Sequence, residues 1–428
     1  MPNQSGFRGL GIAPSILSIL DKLRFTTPTP IQEKSIPQAI EGKDMMGIAQ
    51  TGTGKTLAFG IPLIQNILKD SRRRALILLP TRELAVQVDE ALRKIGGPLG
   101  IKTAVLIGGE SIRKQFHALA RRPQIILSTP GRLIDHLTQK TVSLKDVSVV
   151  VLDEADRMLD MGFAPQLKRI LAFLPHERQT LLFSATIPEN IVFMARAYLK
   201  LPVRVEIDRS GTAAKDITQE LFFVTQAEKP RLLAKILQEY RGSVLVFSRT
   251  KFSAKKIAAH IRVLGYAAVE FHSNRSQGQR QEALEGFKNG KYRVVAATDI
   301  ASRGIDVKNI ELVINYDLPS VAEDYIHRIG RTGRAGGKGH AISFARPDQR
   351  RDVQAIERMM RSTLPVSRLP ALPPSIAPQP FERERSFLPY APGRPQRSKF
   401  SHSRSQFGSS RTSSNSGQHK FNYNKRRR

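Results

Sequence analysis

The chain has 428 residues, 40% of them hydrophobic, and no cysteine; Lys and Arg outnumber Asp and Glu by 68 to 37, a formal net charge of +31. That length exceeds what one core organises, so two domains plus extra segments are expected, and disulfides and thiolate metal sites are excluded, in keeping with a reducing cytoplasm. No run approaches the roughly 18–20 apolar residues of a membrane span, and the opening MPNQSGFRGL has no apolar signal core.

In chain order, short apolar β-prone runs come first. Strands are predicted at Met45–Ile48, Ala75–Leu79, Val105–Ile107, Ile125–Ser128, Val149–Leu152 and Leu181–Phe183, with helical spacing between them, as at Leu84–Ile95 and Gly131–Leu137. Near-continuous apolar strands alternating with helices indicate a parallel sheet covered on both faces. Residues 208–216, DRSGTAAKD, are polar and read as a linker. The pattern then restarts at Leu221–Val224, Val244–Phe247, Ala267–Phe271, Val294–Ala297, Leu312–Asn315 and Ala341–Phe344. Further on, LPALPPSIAPQP cannot form a helix or a central strand, because proline lacks the N–H donor. The chain beyond it is rich in Ser, Arg, Asn and Gln with isolated aromatics, and ends KRRR; it reads as a disordered basic tail. The expected organisation is an α/β domain over 1–207, a linker over 208–216, a second α/β domain over 217–365 and a tail over 366–428.

Charge is not confined to that tail. Residues 366–428 hold 13 Lys and Arg against 2 Glu, a net +11, which leaves +20 on the rest. The folded part is therefore expected to face a polyanion as well, with nucleic acid the natural partner.

MMGIAQTGTGKTLAF, residues 45–59, passes from an apolar strand through Gly52, Thr53, Gly54, Lys55 and Thr56 into a helix. This is the P-loop arrangement: glycines let backbone N–H groups curl around phosphate, and the helix N-terminus adds its positive end. Lys55 is expected on the β and γ phosphates of ATP and the Thr56 hydroxyl on Mg2+. Ala49 stands where the general pattern begins with Gly. SVVVLDEADRML, residues 148–159, drives an apolar strand into Asp153, Glu154 and Asp156. Beside a phosphate loop, Asp153 is placed to hold the Mg2+, partly through water, and Glu154 to polarise the attacking water. Asp156 reads as a structural or coupling contact. The bland alternative is an acidic helix N-terminus.

Asp153-Glu154-Ala155-Asp156 spells the signature of the DEAD-box RNA helicases, and the order of other motifs resembles that family from Phe7 to about Phe344. They are PTPIQ at 28–32, AQTGTGKT at 49–56, PTREL at 80–84, Gly108-Gly109, TPGR at 129–132, SAT at 184–186, VFSRT at 246–250, QGQR at 277–280, ATDIASRGID at 297–306 and HRIGRTGR at 327–334. LDEADRMLDMGF and the basic tail are similar to the bacterial RhlE-type subgroup.

The resemblance implies two tandem RecA-like P-loop domains, an ATP site between them and RNA as partner. It puts Gln32 on the adenine edge, where an amide donates and accepts at once, and Phe7 on the ring face. Phe25, Ala49, Gln50 and Thr51 join the ATP site, with Arg24 where the family usually has Gly. Gly304 and Asp306 are implied at the ribose, and Arg331 and Arg334 at the phosphates from the second domain. Ser184, Thr186 and His327, with Asp156, would couple the halves. Thr81, Arg82, Gly109, Thr129 and Arg132 in the first domain, and Arg249, Thr250, Arg280 and Thr298 in the second, would grip sugar-phosphate with little sequence preference. The implied activity is ATP hydrolysis coupled to local separation of short RNA duplexes or remodelling of RNA–protein complexes, with ribosomal or RNA-decay proteins as further partners. Two rivals stand beside it: a double-stranded-DNA translocase, and an RNA-binding scaffold with little unwinding.

Overall fold

The computed structural model describes residues 6–49, 52–70, 72–207, 217–299, 310–333 and 339–374. The expected linker over 208–216 lies outside them, as does the chain from 375 onward.

In the first half, helices α1 (Pro14–Lys22) and α2 (Pro30–Ile40) precede β1 (Met45–Ile48), and α3 (Lys55–Lys69) follows it. Then come β2 (Arg74–Leu78), α4 (Arg82–Gly96), β3 (Thr103–Leu106), α5 (Ile112–Ala120), β4 (Ile125–Ser128) and α6 (Pro130–Thr138). After these lie β5 (Val147–Leu152), α7 (Ala155–Asp160), α8 (Ala164–Ala172), β6 (Gln179–Ser184), α9 (Glu189–Tyr198) and β7 (Val203–Glu206). The strands form one parallel sheet in the order β3-β4-β2-β5-β6-β1-β7. The run VSVVVL explains the layering. Side chains alternate across a strand, so Val149 and Val151 enter one buried cluster while Val150 and Leu152 enter the other. Both faces are thus covered by helices, as a parallel sheet requires.

The second half repeats the plan with β8 (Ile217–Phe223), α10 (Lys229–Glu239), β9 (Val244–Ser248), α11 (Lys251–Val263), β10 (Ala268–Phe271) and α12 (Gln277–Lys288). It closes with β11 (Val294–Thr298), β12 (Leu312–Asn315), α13 (Ala322–Ile329), β13 (Gly339–Ala345) and α14 (Arg350–Met360). Its parallel sheet runs β10-β11-β9-β12-β13-β8. In β9, Val244 and Val246 face one core, Leu245 and Phe247 the other.

Two expectations shift. The sequence reading has no strand at β7, a four-residue edge strand in which only Val205 is buried. The chain also stays on the second sheet past 365. Leu221 N–H donates to the Pro365 carbonyl (2.8 Å), Ser367 N–H donates back to Leu221 (2.9 Å), and Val366 bridges Leu221 in parallel. Arg231 of α10 donates to the carbonyls of Pro373 (2.6 Å) and Leu372 (3.3 Å), and the Leu372 side chain packs on the core. Proline is barred from a central strand but tolerated along a sheet edge, and this segment occupies the edge beside β8.

Candidate active site

The phosphate loop sits where β1 hands over to α3. Gly54 caps that helix at φ +93°, a left-handed conformation open to glycine. A Cβ there would collide with Gln32 Nε2. The closeness has a reason: Gln32 Nε2 donates to the Gly54 carbonyl (3.0 Å), while its Oε1 accepts from Thr29 N–H (2.9 Å). The amide thus braces α2 against the loop, with one N–H and one lone pair left over among the described residues. The Lys55 side chain is buried and its Nζ has no hydrogen-bond partner among the described residues. A buried ammonium without a partner is costly, so this position suits an anion. Thr56 follows, half-buried. Gln50 and Thr51 lie outside the described residues.

The structure places Phe7, expected on the ring face, within the core. Phe7 is 4% exposed and belongs to the core against the sheet, because its short helical turn folds it inward. Phe25 is the open aromatic, at 40% exposure.

Across the sheet, β5 ends at Leu152 and the acids begin. Asp153 Oδ1 accepts from the Glu154 N–H (2.9 Å). Glu154 itself stands at φ +49°, a left-handed conformation unusual for a non-glycine residue. It is buried, and its Oε2 has no hydrogen-bond partner among the described residues. Burial pushes the Asp153 carboxyl up to about 6, against the pull of Lys55, and neighbouring Glu154 adds to the rise. Such a carboxylate would be held ionised by a cation. Among the described residues no three His, Cys, Asp or Glu side chains gather as a metal cage. Asp153 and Thr56 offer one carboxylate and one hydroxyl, donor types of the sparse oxygen set that Mg2+ accepts alongside water and phosphate. The residues therefore fit that ion.

Asp156 is fully engaged instead. Its Oδ2 accepts from Ala185 N–H (3.0 Å), Thr186 N–H (2.9 Å) and the Thr186 hydroxyl (2.9 Å), and its Oδ1 accepts from Arg157 N–H (2.9 Å). Ser184 Oγ donates to the Thr186 carbonyl (2.7 Å). Burial works to raise the Asp156 carboxyl, but Lys55, the Thr186 hydroxyl and His327 outweigh it and hold it below the usual carboxylate range. The acid motif is thus tied directly to the SAT segment.

The second half brings arginines, a histidine and two carboxylates together. A cleft is lined by Arg157 of α7 in the first half and by Phe247, Asp299, Asp324, His327, Arg328 and Arg331 of the second half. Arg331 is buried and donates to the His327 carbonyl (3.2 Å). His327 Nδ1 lies 3.9 Å from Asp324, which also pairs with Arg157 across the halves at 3.7 Å. Arg328 holds Asp299 through two bonds (2.5 and 2.7 Å) and donates to Asn315 and the Asp317 carbonyl, which makes it a brace of its own domain. Sequence reasoning missed Arg157, Asp324 and Arg328; Arg328 lies inside HRIGRTGR and Arg157 directly follows the DEAD tetrad, whereas Asp324 lies outside every motif quoted. Gly304, Asp306 and Arg334 lie outside the described residues.

Of the residues expected on RNA, Thr81, Thr129 and Thr250 all stand immediately before helices, at the starts of α4, α6 and α11. Thr81 and Thr250 use their hydroxyls as caps, accepting from Leu84 and Ser253 N–H. Arg82 lies against Gly109, where an added Cβ would overlap its guanidinium, and Gly109 has φ +79°. Arg132 donates to the Glu110 carbonyl (3.2 Å), so the same turn is held from two sides. Arg249 is exposed, with its backbone N–H on Asp317 and its guanidinium on the Leu318 carbonyl; Thr298 is half-buried at the end of β11. Arg280 departs from expectation. It is buried, over the Phe271 ring, in a 2.6 Å ion pair with Glu83 of the first domain. Its charge is spent on Glu83 because α12 points its first turn at α4, not into an open groove.

Residues 29–193 match the DEAD/DEAH box helicase family, and residues 228–336 match the helicase conserved C-terminal domain. An ATP-dependent rRNA helicase RRP3 of Yarrowia lipolytica is 44% identical over 341 residues, 79% of this chain and 71% of that protein. The chain is a DEAD-box helicase. The DEAD-box ATP-dependent RNA helicase CshA of Geobacillus kaustophilus is 40% identical, over 86% of this chain and 79% of that one. The solved structure of S. cerevisiae Dbp5 bound to RNA and ADP BeF3 matches this DEAD-box chain at a TM-score of 0.76 and 29% identity, over 85% of this chain and 95% of the other. The two parallel sheets are therefore the RecA-like pair of that fold.

Proposed function

We propose that this DEAD-box protein is an RNA-stimulated ATPase that separates short RNA duplexes locally or remodels RNA–protein complexes. The observation that carries the reading is the buried Lys55 ammonium, which has no hydrogen-bond partner among the described residues, near Asp153. Lys55 takes the β and γ phosphates, and Gly52, Thr53 and Gly54 wrap them with backbone N–H groups. Asp153 and Thr56 would hold Mg2+, which supplies charge neutralisation on the phosphates when bound. Glu154, whose Oε2 has no hydrogen-bond partner among the described residues, orients and deprotonates the attacking water. Arg331 and Arg334 neutralise charge on the transferring phosphoryl group from the second domain, a contribution of order 10³–10⁵ in rate. Gln32 keeps one donor and one acceptor for adenine, and Phe25 supplies the ring face. Gly304 and Asp306 take the ribose.

Asp156 makes the site communicate. A change at the phosphates is felt by a carboxylate that holds Thr186 and senses His327. Opening and closing of the two domains then couples nucleotide to RNA through differential affinity for two states. We assign Thr81, Arg82, Gly109, Thr129, Arg132, Arg249, Thr250 and Thr298 to the RNA path, with Arg280 acting through domain docking. The domain limits 1–207 and 217–365 are kept as the two working units, with 366–374 added to the second.

Ribosomal RNA is the proposed substrate, supported by the name of the Yarrowia relative. The RhlE-type assignment and a bacterial setting rest on LDEADRMLDMGF and the basic C-terminal segment, and a cytoplasmic setting on the absence of cysteine. Phosphate release with and without RNA tests the reading. Lys55→Ala should abolish RNA-stimulated turnover, and Glu154→Gln should lower it by about 10²–10⁴ while ATP still binds. Turnover retained by Lys55→Ala would remove the assigned site. Stimulation by DNA in place of RNA would favour the translocase.

A further inference from the structure

Open parallel sheets bind ligands beyond the carboxyl ends of their strands. Helix α11 starts there, directly after β9 and the exposed pair Arg249-Thr250. Its buried side is built from Ala254, Ile257, Ala258 and Ile261. Phe252, in its first turn, points the other way and is 68% exposed. The ring is nevertheless held. Lys251 Nζ lies 5.3 Å from its centroid and donates to Asn274 Oδ1 (3.1 Å), in the loop between β10 and α12.

The surroundings say what the free face of that ring meets. Lys255 and Lys256 stand three and four positions on, on the same helix face, exposed and without an ion pair among the described residues. The first turn of α11 holds no acid, so the helix N-terminus adds its positive end. Protein-binding patches are depleted in lysine. An exposed aromatic with a lysine at its ring and two more along the same helix face is an arrangement suited to stacking single-stranded nucleic acid.

We infer that Phe252 is a base-stacking platform for RNA, receiving a base next to the sugar-phosphate held at Arg249 and Thr250. This rests on the RNA-helicase reading and extends it, since the other RNA contacts of the site address the backbone. The contact tolerates any base, because each has a π face.

The chain contains no tryptophan, so Phe252→Trp places a single indole at the point in question. Its emission should be quenched by single-stranded RNA and much less by a fully abasic strand of the same length. In parallel, binding of labelled RNA by the full chain is followed by anisotropy. Phe252→Ala should lose about tenfold of the preference for base-bearing over abasic strand, and Phe252→Trp should keep it. Unchanged indole emission on a strand that anisotropy shows bound, or an unchanged preference in Phe252→Ala, overturns the stacking role while leaving the helicase reading intact. Failure of the unaltered chain to bind RNA at all overturns both.

Discussion

Arg24 occupies the position after the C-cap of α1 with φ +61°, and its N–H and that of Phe25 donate back to Asp21 and Leu20. That is a Schellman end, which favours glycine because a Cβ is strained there. The family's usual Gly at this place thus has a physical cause, and this chain has departed from it. Arg24→Gly should raise stability by about 1 kcal/mol, read as a higher denaturant midpoint at unchanged slope; a fall would show that the Arg24 side chain contributes more than its backbone costs. Asp156 offers a second test. Its carboxylate accepts four hydrogen bonds and is held below the usual range, so its contribution is present above about pH 3.9 and is lost as pH falls through the lower folded value. Asp156→Asn should destabilise by about 2–3 kcal/mol at neutral pH, and the gap to the unaltered chain should narrow in urea titrations near pH 3. Motif spacing singles out Lys55, Asp153 and Asp156, and the structure buries all three where β1 and β5 give way to helices. Spacing did not distinguish Phe7 from Phe25, since it carries no information on which aromatic the core absorbs.

Strands were the most readable elements. A strand buried on both faces is a near-continuous apolar run, so runs such as VSVVVL and IILS announce themselves, and Ile125–Ser128 and Leu312–Asn315 stand where expected. An edge strand escapes that requirement, which is why β7 (VRVE) passed unread. The same physics hid the segment 366–374. Its prolines forbid a ladder, yet two backbone bonds and the buried side of Leu372 suffice to lay it along β8. Two truncations separate this segment from the rest of the tail. A chain ending at 374 should unfold with the full chain's midpoint. A chain ending at 365 should lose about 2 kcal/mol, from Leu372 burial and the bonds to Leu221 and Arg231. Equal midpoints would show that the segment adds nothing to the second domain.

At the scale of the whole molecule, the halves meet through charge. Glu83 and Arg280 form a buried ion pair at 2.6 Å, with an angle that is not that of a hydrogen bond, and Arg157 approaches Asp324 at 3.7 Å. Burial pushes the Glu83 carboxyl up despite Arg280, and pushes the Arg280 guanidinium down despite Glu83. Taking both charges out of water therefore offsets much of their attraction. Such a pair contributes more to which way the domains dock than to how tightly. Removing one member strands the other, at about 3–5 kcal/mol, whereas replacing both with matched uncharged groups costs far less. Arg280→Ala should thus lower RNA-stimulated kcat/KM by about 10² or more, and Glu83→Gln with Arg280→Met should recover at least about tenfold of that loss. The opposite pattern is equally specific. If the two single losses simply add in the double variant, Arg280 acts independently of Glu83, and the direct contact with RNA that its place in QGQR suggests is the better account.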